Sequence, residues 1–577
     1  MTLSDRTHRG SVAGRLASGH RFGIWLIVGL ALIIASLSLG RRDLWSPDEP
    51  KYALVAQEMI TSGEWLIPHV NGRLYPDKPP LFFWSIAAAS LLFGGVGQSA
   101  AVFPSIVAGV VVLLATARLT HLLAPDAPRW APVLAVGMLA VTYRFAQQML
   151  HGQIDMLLTA CTTTAFLFLV CGSGFAPKVD ARRRHLVAGF ALMGLANLAK
   201  GPVGLLIPLG GLLVGARLAH RDRGEPRLSL RRRLIDPRAW WPLILVPALW
   251  LVPAAIHAFA SGQEIWLSDI LFKQTAVRYA NSWHHHQPVW YFLIVPLYDM
   301  LPIVWLLPAA IPSLWKTRTP ESYPFARKLL AGVFLFAIVF FSIPSGKRGL
   351  YLLPAYPMVA VWLSLDLAHR LQTRGRSARS PRFAGAVLAC LAGTIATVLL
   401  VRPLIENFAE ENQLDVRTWF LALPLSLIAL AGAFLAWRGA DRWSLSSVGL
   451  AMGSLYLILA IWIHPALDPL KSARPFLQEA RSQLIEDASA GIVDFRAEFA
   501  FPHGGLFEAD PGDAKSLDAI AQRLAGRDAF WLMVREKNLE SILRRIPESA
   551  SVVEINRRRI GDKVWIALAN PAALRNE

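Results

Sequence analysis

Apolar blocks recur along this chain at the length a bilayer demands. A helix rising about 1.5 Å per residue needs roughly 18–22 apolar residues to cross about 30 Å of hydrocarbon. The segment from Phe22 to Gly40, FGIWLIVGLALIIASLSLG, is the first such block. Basic residues precede it, as they do in a signal peptide. Its apolar run exceeds the roughly 7–15 residues of a signal-peptide core and no small-residue cleavage site follows, so we read it as an anchor. Further candidate spans cover about 81–96, 100–123, 130–148, 155–173, 186–199, 201–217, 240–260, 289–312, 328–344, 350–369, 383–402, 418–437 and 443–464. With 54% hydrophobic residues and a mean hydropathy of +0.41, the chain lies above the soluble range. The fold class is therefore a polytopic α-helical membrane protein.

The formal net charge is +18. A basic balance can signal nucleic-acid binding, but here the charge sits in short loops between apolar blocks: HRDRGEPRLSLRRRLIDPR, KVDARRRH, WKTRTPESYPFARK, RLQTRGRSARSPR and the N-terminal RTHRGSVAGRLASGHR. That is the positive-inside pattern, and no nucleic-acid partner is expected. Alternation then puts loop 41–80, stretch 261–288, the SGKR turn near 346 and RPLIENFAEENQLDVR on the outer side. Fourteen crossings would return the C-terminus to the cytoplasm, against the basic-loop pattern. One of 81–96, 100–123 or 130–148 should therefore fail to span, which leaves about thirteen. Cys161, Cys171 and Cys390 lie apart in apolar segments and suggest neither disulfides nor a metal set. After about 466 the composition changes to short alternating runs (GIVDF, AFWLMV, SVVEI, VWIALA) and a charged helical stretch, KSLDAIAQRLAGR. We read 1–465 as the membrane domain and 466–577 as a small soluble α/β domain on the outer side.

The loop RRDLWSPDEPKYALVAQEMITSGEWLIPHVNGRLYPDKPP is long and charged. Asp48 and Glu49 after Pro47 are consistent with a capped surface helix, since acids favour a helix N-terminus. Capping does not explain Trp45, Tyr52, Trp65 and Tyr75, which suit a helix lying in the membrane interface. The capped helix and a functional acid both remain open on these residues alone. Elsewhere, Asp155 in HGQID stands at a helix mouth, where an N-cap is the plain alternative to a task. Lys200 in LAKGPVG falls on the outer side; it either snorkels or binds phosphate. Lys347 and Arg348 lie between glycines that leave backbone free to approach an anion. Tyr351 follows one turn later, and Arg278 in LFKQTAVRYA is placed to join them. The run His284–His286 is not a metal site by spacing, because adjacent residues do not face one ion.

The string WSPDEPKYALVAQEMITSGEWLIPHVNGRLYPDKPPLFFW resembles the first periplasmic loop of the bacterial aminoarabinose transferases, membrane enzymes of GT-C type that modify lipid A and are related to protein O-mannosyltransferases and oligosaccharyltransferases. The matching positions are Asp48-Glu49, Tyr52, Gly63-Glu64-Trp65, Pro68-His69 and Asp77-Lys78-Pro79. The resemblance extends more loosely through the membrane region and thins in the tail. It implies an inverting transferase at the periplasmic face of the bacterial inner membrane. Asp48, Glu49 and a second acid, Asp155, would be catalytic. Lys78, Lys200, Lys347, Arg348 and Arg278 would hold the donor phosphate, and Tyr52, Tyr75, His69 and Tyr351 would line the substrate. It also implies a zinc site formed by Asp77 and His285.

Outward orientation itself limits the donor. Nucleotide sugars are cytoplasmic and no Gly-rich nucleotide loop stands out, so no nucleotide cofactor is expected. A polyprenyl-phosphate sugar, with undecaprenyl phosphate as carrier, is the expected partner, and lipid A or another envelope molecule the acceptor. Alternatives are a protein or polysaccharide glycosyltransferase of the same type and a lipid-linked sugar flippase. The latter would show internal repeats and midplane charges.

Overall fold

A computed structural model describes residues 21–222, 236–272, 286–316, 322–373, 449, 452–500, 505–561 and 563–575. The apolar blocks are helices, and the polar loop has structure of its own. After α1 (Arg21–Ser36) come α2 (Glu49–Ser62) and a short antiparallel hairpin of β1 (His69–Val70) and β2 (Arg73–Leu74). α2 stops at Gly63, whose φ of 75° a side chain would resist. Then follow α3 (Leu81–Phe93), α4 (Gln98–Leu123), α5 (Ala131–Ala140), α6 (Tyr143–Met149), α7 (Ile154–Gly172), α8 (Arg183–Lys200) and α9 (Val203–Ala219).

Among the described residues, six helices are long and apolar enough to cross a bilayer: α4, α7, Pro237–Ala260, Pro324–Ser342, Gly349–Thr373 and Met452–Lys471. Tyr291–Asp299 and Ile303–Trp315, which meet at 110°, make a seventh if the bent pair is taken as one span. Small residues set the packing. A Cβ on Gly332 would lie 2.3 Å from the Gly215 Cα, so α9 and Pro324–Ser342 touch backbone to backbone.

Three sequence expectations change. Segment 81–96, one of the three among which a span was expected to fail, is a helix of thirteen residues, Leu81–Phe93, shorter than a bilayer crossing needs. Phe82 and Phe83 of α3 are fully buried against Tyr52 and Tyr75 of the loop, and Trp84 Nε1 donates to the Trp65 carbonyl at 3.0 Å. Just beyond α3, the Gln98 side chain accepts from Gly40 N at 2.7 Å. Block 130–148 is two helices broken at Val141–Thr142. The border placed after 465 falls inside a helix that continues to Lys471. Candidates 383–402 and 418–437 lie outside the described residues.

The tail carries a five-stranded sheet in the order β4-β3-β5-β7-β6, from β3 (Ser489–Val493), β4 (Phe507–Ala509), β5 (Phe530–Arg535), β6 (Val553–Ile560) and β7 (Lys563–Ala569). β3 runs parallel to β4 and β5, while β7 runs antiparallel to β5 and β6. Four strands match the alternating runs; the short β4 was not anticipated. The tail rests on the polar loop. Asp43 N and Trp45 Nε1 both donate to Asp468 Oδ1 at 2.8 Å. Asn71 exchanges two hydrogen bonds with the Leu506 backbone, at 2.9 and 2.8 Å.

Candidate active site

Two neighbouring acids begin α2 and meet opposite fates. Glu49 turns inward and is 1% exposed. Its oxygens accept from Arg42 Nη1 and Nη2 at 2.6 and 2.7 Å, from Trp45 N at 2.9 Å and from Gly152 N at 2.8 Å. Burial alone would raise its pKa, but the Arg42 charge and hydrogen bond, with His151 and the Trp45 N–H, outweigh burial and hold it at about 2. With both oxygens engaged by protein donors, Glu49 ties the loop to the turn before α7, and none of its lone pairs is set aside for a substrate. Asp48 occupies the N-cap position yet makes no capping bond. Its Oδ2 accepts from Arg348 Nη2 at 3.0 Å and Gln153 Nε2 at 3.3 Å. The simple cap account therefore fails for Asp48.

It fails for Asp155 too. Gln153 takes the N-cap of α7 and Asp155 lies in the first turn. Asp155 Oδ1 accepts from Lys200 Nζ at 2.5 Å. Lys200 ends α8, and its ammonium also lies 5.1 Å from the Tyr351 ring centroid, so this lysine is committed and does not merely snorkel. Arg348 links the two acids. Burial works against its charge, but Asp48 and Asp155 together overcome burial and raise its pKa. The Tyr52 phenol is nearby. Burial, with the charges of Asp48 and Asp155, pushes its pKa well up and keeps it a hydrogen-bond donor. The start of α2, the start of α7, the end of α8 and the 345–349 turn thus bring Asp48, Asp155, Lys200, Arg348, Tyr52 and Tyr351 together.

The segments around 286 and 346 join. His286 and Gly346 form a β-bridge, and Gln287 N donates to Ser345 O at 3.1 Å. Lys347 is 3% exposed and donates to the Gln287 carbonyl at 2.9 Å, a neutral partner, while burial lowers its pKa. Neither flanking glycine takes a left-handed φ. Gly346 pairs with His286, and a methyl on Gly349 would meet Asp299 and Arg144 at ordinary contact distances.

Tyr75 is buried with its ring against Phe83, 6.0 Å between centroids. His69 is half-buried in β1, with Nδ1 2.9 Å from the Ile67 carbonyl. Asp77 and Lys78 are half-buried in the turn before α3. Arg278 and His285 lie outside the described residues. Among the described residues, no group of three or more His, Cys, Asp or Glu side chains is placed to hold a metal ion.

Sequence reasoning missed Arg42, Gln153, and the pair Arg144–Asp299. Arg144 and Asp299 carried a usable signal, since each is a charge inside an apolar block.

Comparison with known proteins bears on this geometry. The family model described as dolichyl-phosphate-mannose-protein mannosyltransferase matches residues 77–223. The undecaprenyl phosphate-alpha-4-amino-4-deoxy-L-arabinose arabinosyl transferase of Shewanella sediminis is 26% identical over 80% of this chain and 81% of its own length. Its namesake numbered 2 from Pseudomonas fluorescens is 28% identical over 74% of each. The crystal structure of ArnT from Cupriavidus metallidurans bound to undecaprenyl phosphate superposes with a TM-score of 0.76 at 21% identity, covering 96% of this chain and 99% of that one. The chain has the GT-C fold of ArnT. The resemblance first drawn from the loop therefore extends over nearly the whole chain. The span matched by the mannosyltransferase model contains Lys78, Asp155 and Lys200 but neither Asp48 nor Arg348. The ArnT-like fold is what unites the two halves of the cluster.

Proposed function

We propose that this protein is an inverting glycosyltransferase that moves 4-amino-4-deoxy-L-arabinose from undecaprenyl phosphate to lipid A at the periplasmic face of the bacterial inner membrane. The observation that carries this reading is Asp48, an acid at a helix start that leaves its cap unmade and faces Arg348 beside the Asp155–Lys200 pair. The similarity to named arabinosyl transferases supports the donor and sugar. The basic loops, at the helix ends away from the cluster, support its outward orientation.

The reaction breaks the bond between the anomeric carbon and the carrier phosphate, whose oxygen keeps the electron pair. An acceptor oxygen attacks from the opposite face. The phosphate is a good leaving group, so the site must chiefly stabilise charge growing on its oxygens. Lys200 and Arg348 are each matched by an acid, whereas Lys347 spends its bond on a carbonyl. Lys347 therefore supplies surplus positive charge for the phosphate, Lys78 is assigned to the same oxygens on the loop resemblance alone, and Arg348 strengthens its contact there as charge develops. Asp48 positions the acceptor and takes a proton when the acceptor is a hydroxyl; a phosphate acceptor needs only the positioning. Asp155 orients Lys200 and is suited to the sugar's amino group. Glu49 acts at one remove, by fixing Arg42 and the backbone of the loop.

The test is direct. Purified protein given radiolabelled undecaprenyl-phosphate aminoarabinose and lipid A should release undecaprenyl phosphate and label lipid A in equal amounts. Movement of intact donor across proteoliposomes with no bond broken would establish the flippase reading instead.

A further inference from the structure

Two of the apolar blocks break, and they break against each other. α5 ends before Thr142 and α6 restarts at Tyr143, while Tyr291–Asp299 ends before the 110° bend that leads into Ile303–Trp315. Tyr143 N donates to the Leu301 carbonyl at 2.9 Å, so a donor freed by one break meets an acceptor freed by the other. Next to this contact lies an ion pair inside what are otherwise apolar blocks. Arg144 Nε and Nη2 reach Asp299 Oδ1 at 2.8 and 2.6 Å, and the Tyr356 hydroxyl donates to Asp299 Oδ2 at 3.0 Å. Asp299 and Tyr356 are fully buried. An acid at a helix C-terminus opposes the helix dipole, so Asp299 is tenable there because Arg144 and Tyr356 compensate it.

What rests on this group is the turn carrying Arg348. A methyl built on Gly349 would sit 3.5 Å from Asp299 Oδ2 and 3.6 Å from Arg144 Nη2. From there the chain winds through a 3-10 turn, Gly349–Ala355, and returns to the same acid at Tyr356. One end of the turn is thus bonded to this buried carboxylate through Tyr356 and the other, at Gly349, passes beside it, and the residue just before the turn is the partner of Asp48. We propose that Arg144, Asp299 and Tyr356 are positioning residues that brace the 346–356 turn and so hold Arg348 at Asp48. This rests on the reading of that cluster as the transfer site. None of the three touches substrate; they act through Arg348.

Tyr356→Phe is the mild variant, because it removes one hydroxyl and keeps the ring. Losing a hydrogen bond to a charged group should lower kcat about tenfold while the donor KM stays within about twofold. In an Arg348→Ala background the same change should cost less than about twofold, since there is no longer an arginine to position. A merely structural role would give the same loss in both backgrounds, and that result, or no loss in the wild-type background, overturns the proposal. Hydrogen exchange separates this failure from failure of the transfer reading. The Tyr351 amide, bonded to the Arg348 carbonyl at 3.0 Å, should exchange faster in Tyr356→Phe and in Arg144→Gln, with α7 unchanged. Unchanged exchange at 346–351 overturns the bracing whatever the enzyme transfers.

Discussion

At one end of the helices, Arg327 donates to Asp366 at 2.7 Å, Arg370 reaches the same acid at 2.6 Å, Ser313 donates to it as well, and Lys328 holds Asp222 at 2.7 Å. At the other end stand Asp48 with Arg348 and Asp155 with Lys200. The first cluster is sealed: the Arg327 and Asp366 side chains are 0% and 5% exposed. The second is more open, with Arg348 and Asp48 at 31% and 16%. Asp366 is matched by two arginines and a hydroxyl, whereas Lys347, the chain neighbour of Arg348, is buried with a carbonyl as its partner. A sealed, saturated network locks helices together; an open one with surplus positive charge has capacity left for an anion.

That contrast predicts separable consequences. Asp366→Asn should be the most damaging to stability, by about 3–5 kcal/mol, because it strands buried arginines. It should show as lower yield and an earlier melt in detergent, with activity per folded molecule retained; lost activity at intact stability would erase the distinction between the clusters. Glu49→Gln should follow at roughly 3 kcal/mol, since it strands Arg42. Because folding lowers the Glu49 pKa from 4.5 to about 2, its stabilisation is present above pH 4.5 and should fade as pH falls through about 2. Acid melts of wild type and Glu49→Gln should therefore converge toward pH 2. A constant gap would show that the charge is not what matters.

These two acids show where sequence reasoning stops. The loop, its aromatic residues and its acids were legible because they are contiguous. The division of labour between Asp48 and Glu49 was not, because it depends on Arg42, Gly152 and Arg348, the last 300 positions away. The apolar blocks were legible from length and hydropathy. That α3 packs on the loop was not, since Phe82 and Phe83 look lipid-facing until Tyr52 and Tyr75 are packed on them. Lys200 stood between snorkelling and phosphate binding in the sequence, and its pairing with Asp155 is a tertiary fact. The glycines around Lys347 and Arg348 suggested backbone freedom; the fold pairs one of them, Gly346, with His286, a contact no local pattern announces.

Smaller effects sharpen the comparison further. Lys347→Ala should raise the donor KM about tenfold, near 1.4 kcal/mol, with little change in melting temperature. Burial lowers the Lys347 pKa, so donor affinity should fall at alkaline pH sooner than an exposed lysine would allow, and this limb should vanish in Lys347→Ala. A persisting limb would assign it to another group. Least of all, Arg474→Ala removes a 3.1 Å pair with Asp43 from a side chain that is 61% exposed, and should change stability by under about 1 kcal/mol. A larger loss would mean that the tail's seat on the loop depends on this exposed pair more than on Asp468 and Asn71.

The measurement closest to the central claim compares Asp48→Asn with wild type in a labelled-donor transfer assay, normalised to folded protein. The account predicts loss of transfer by at least about 100-fold with the melting temperature nearly unchanged, because Asp48 is partly open and caps nothing. Transfer at the wild-type rate by well-folded Asp48→Asn would contradict it.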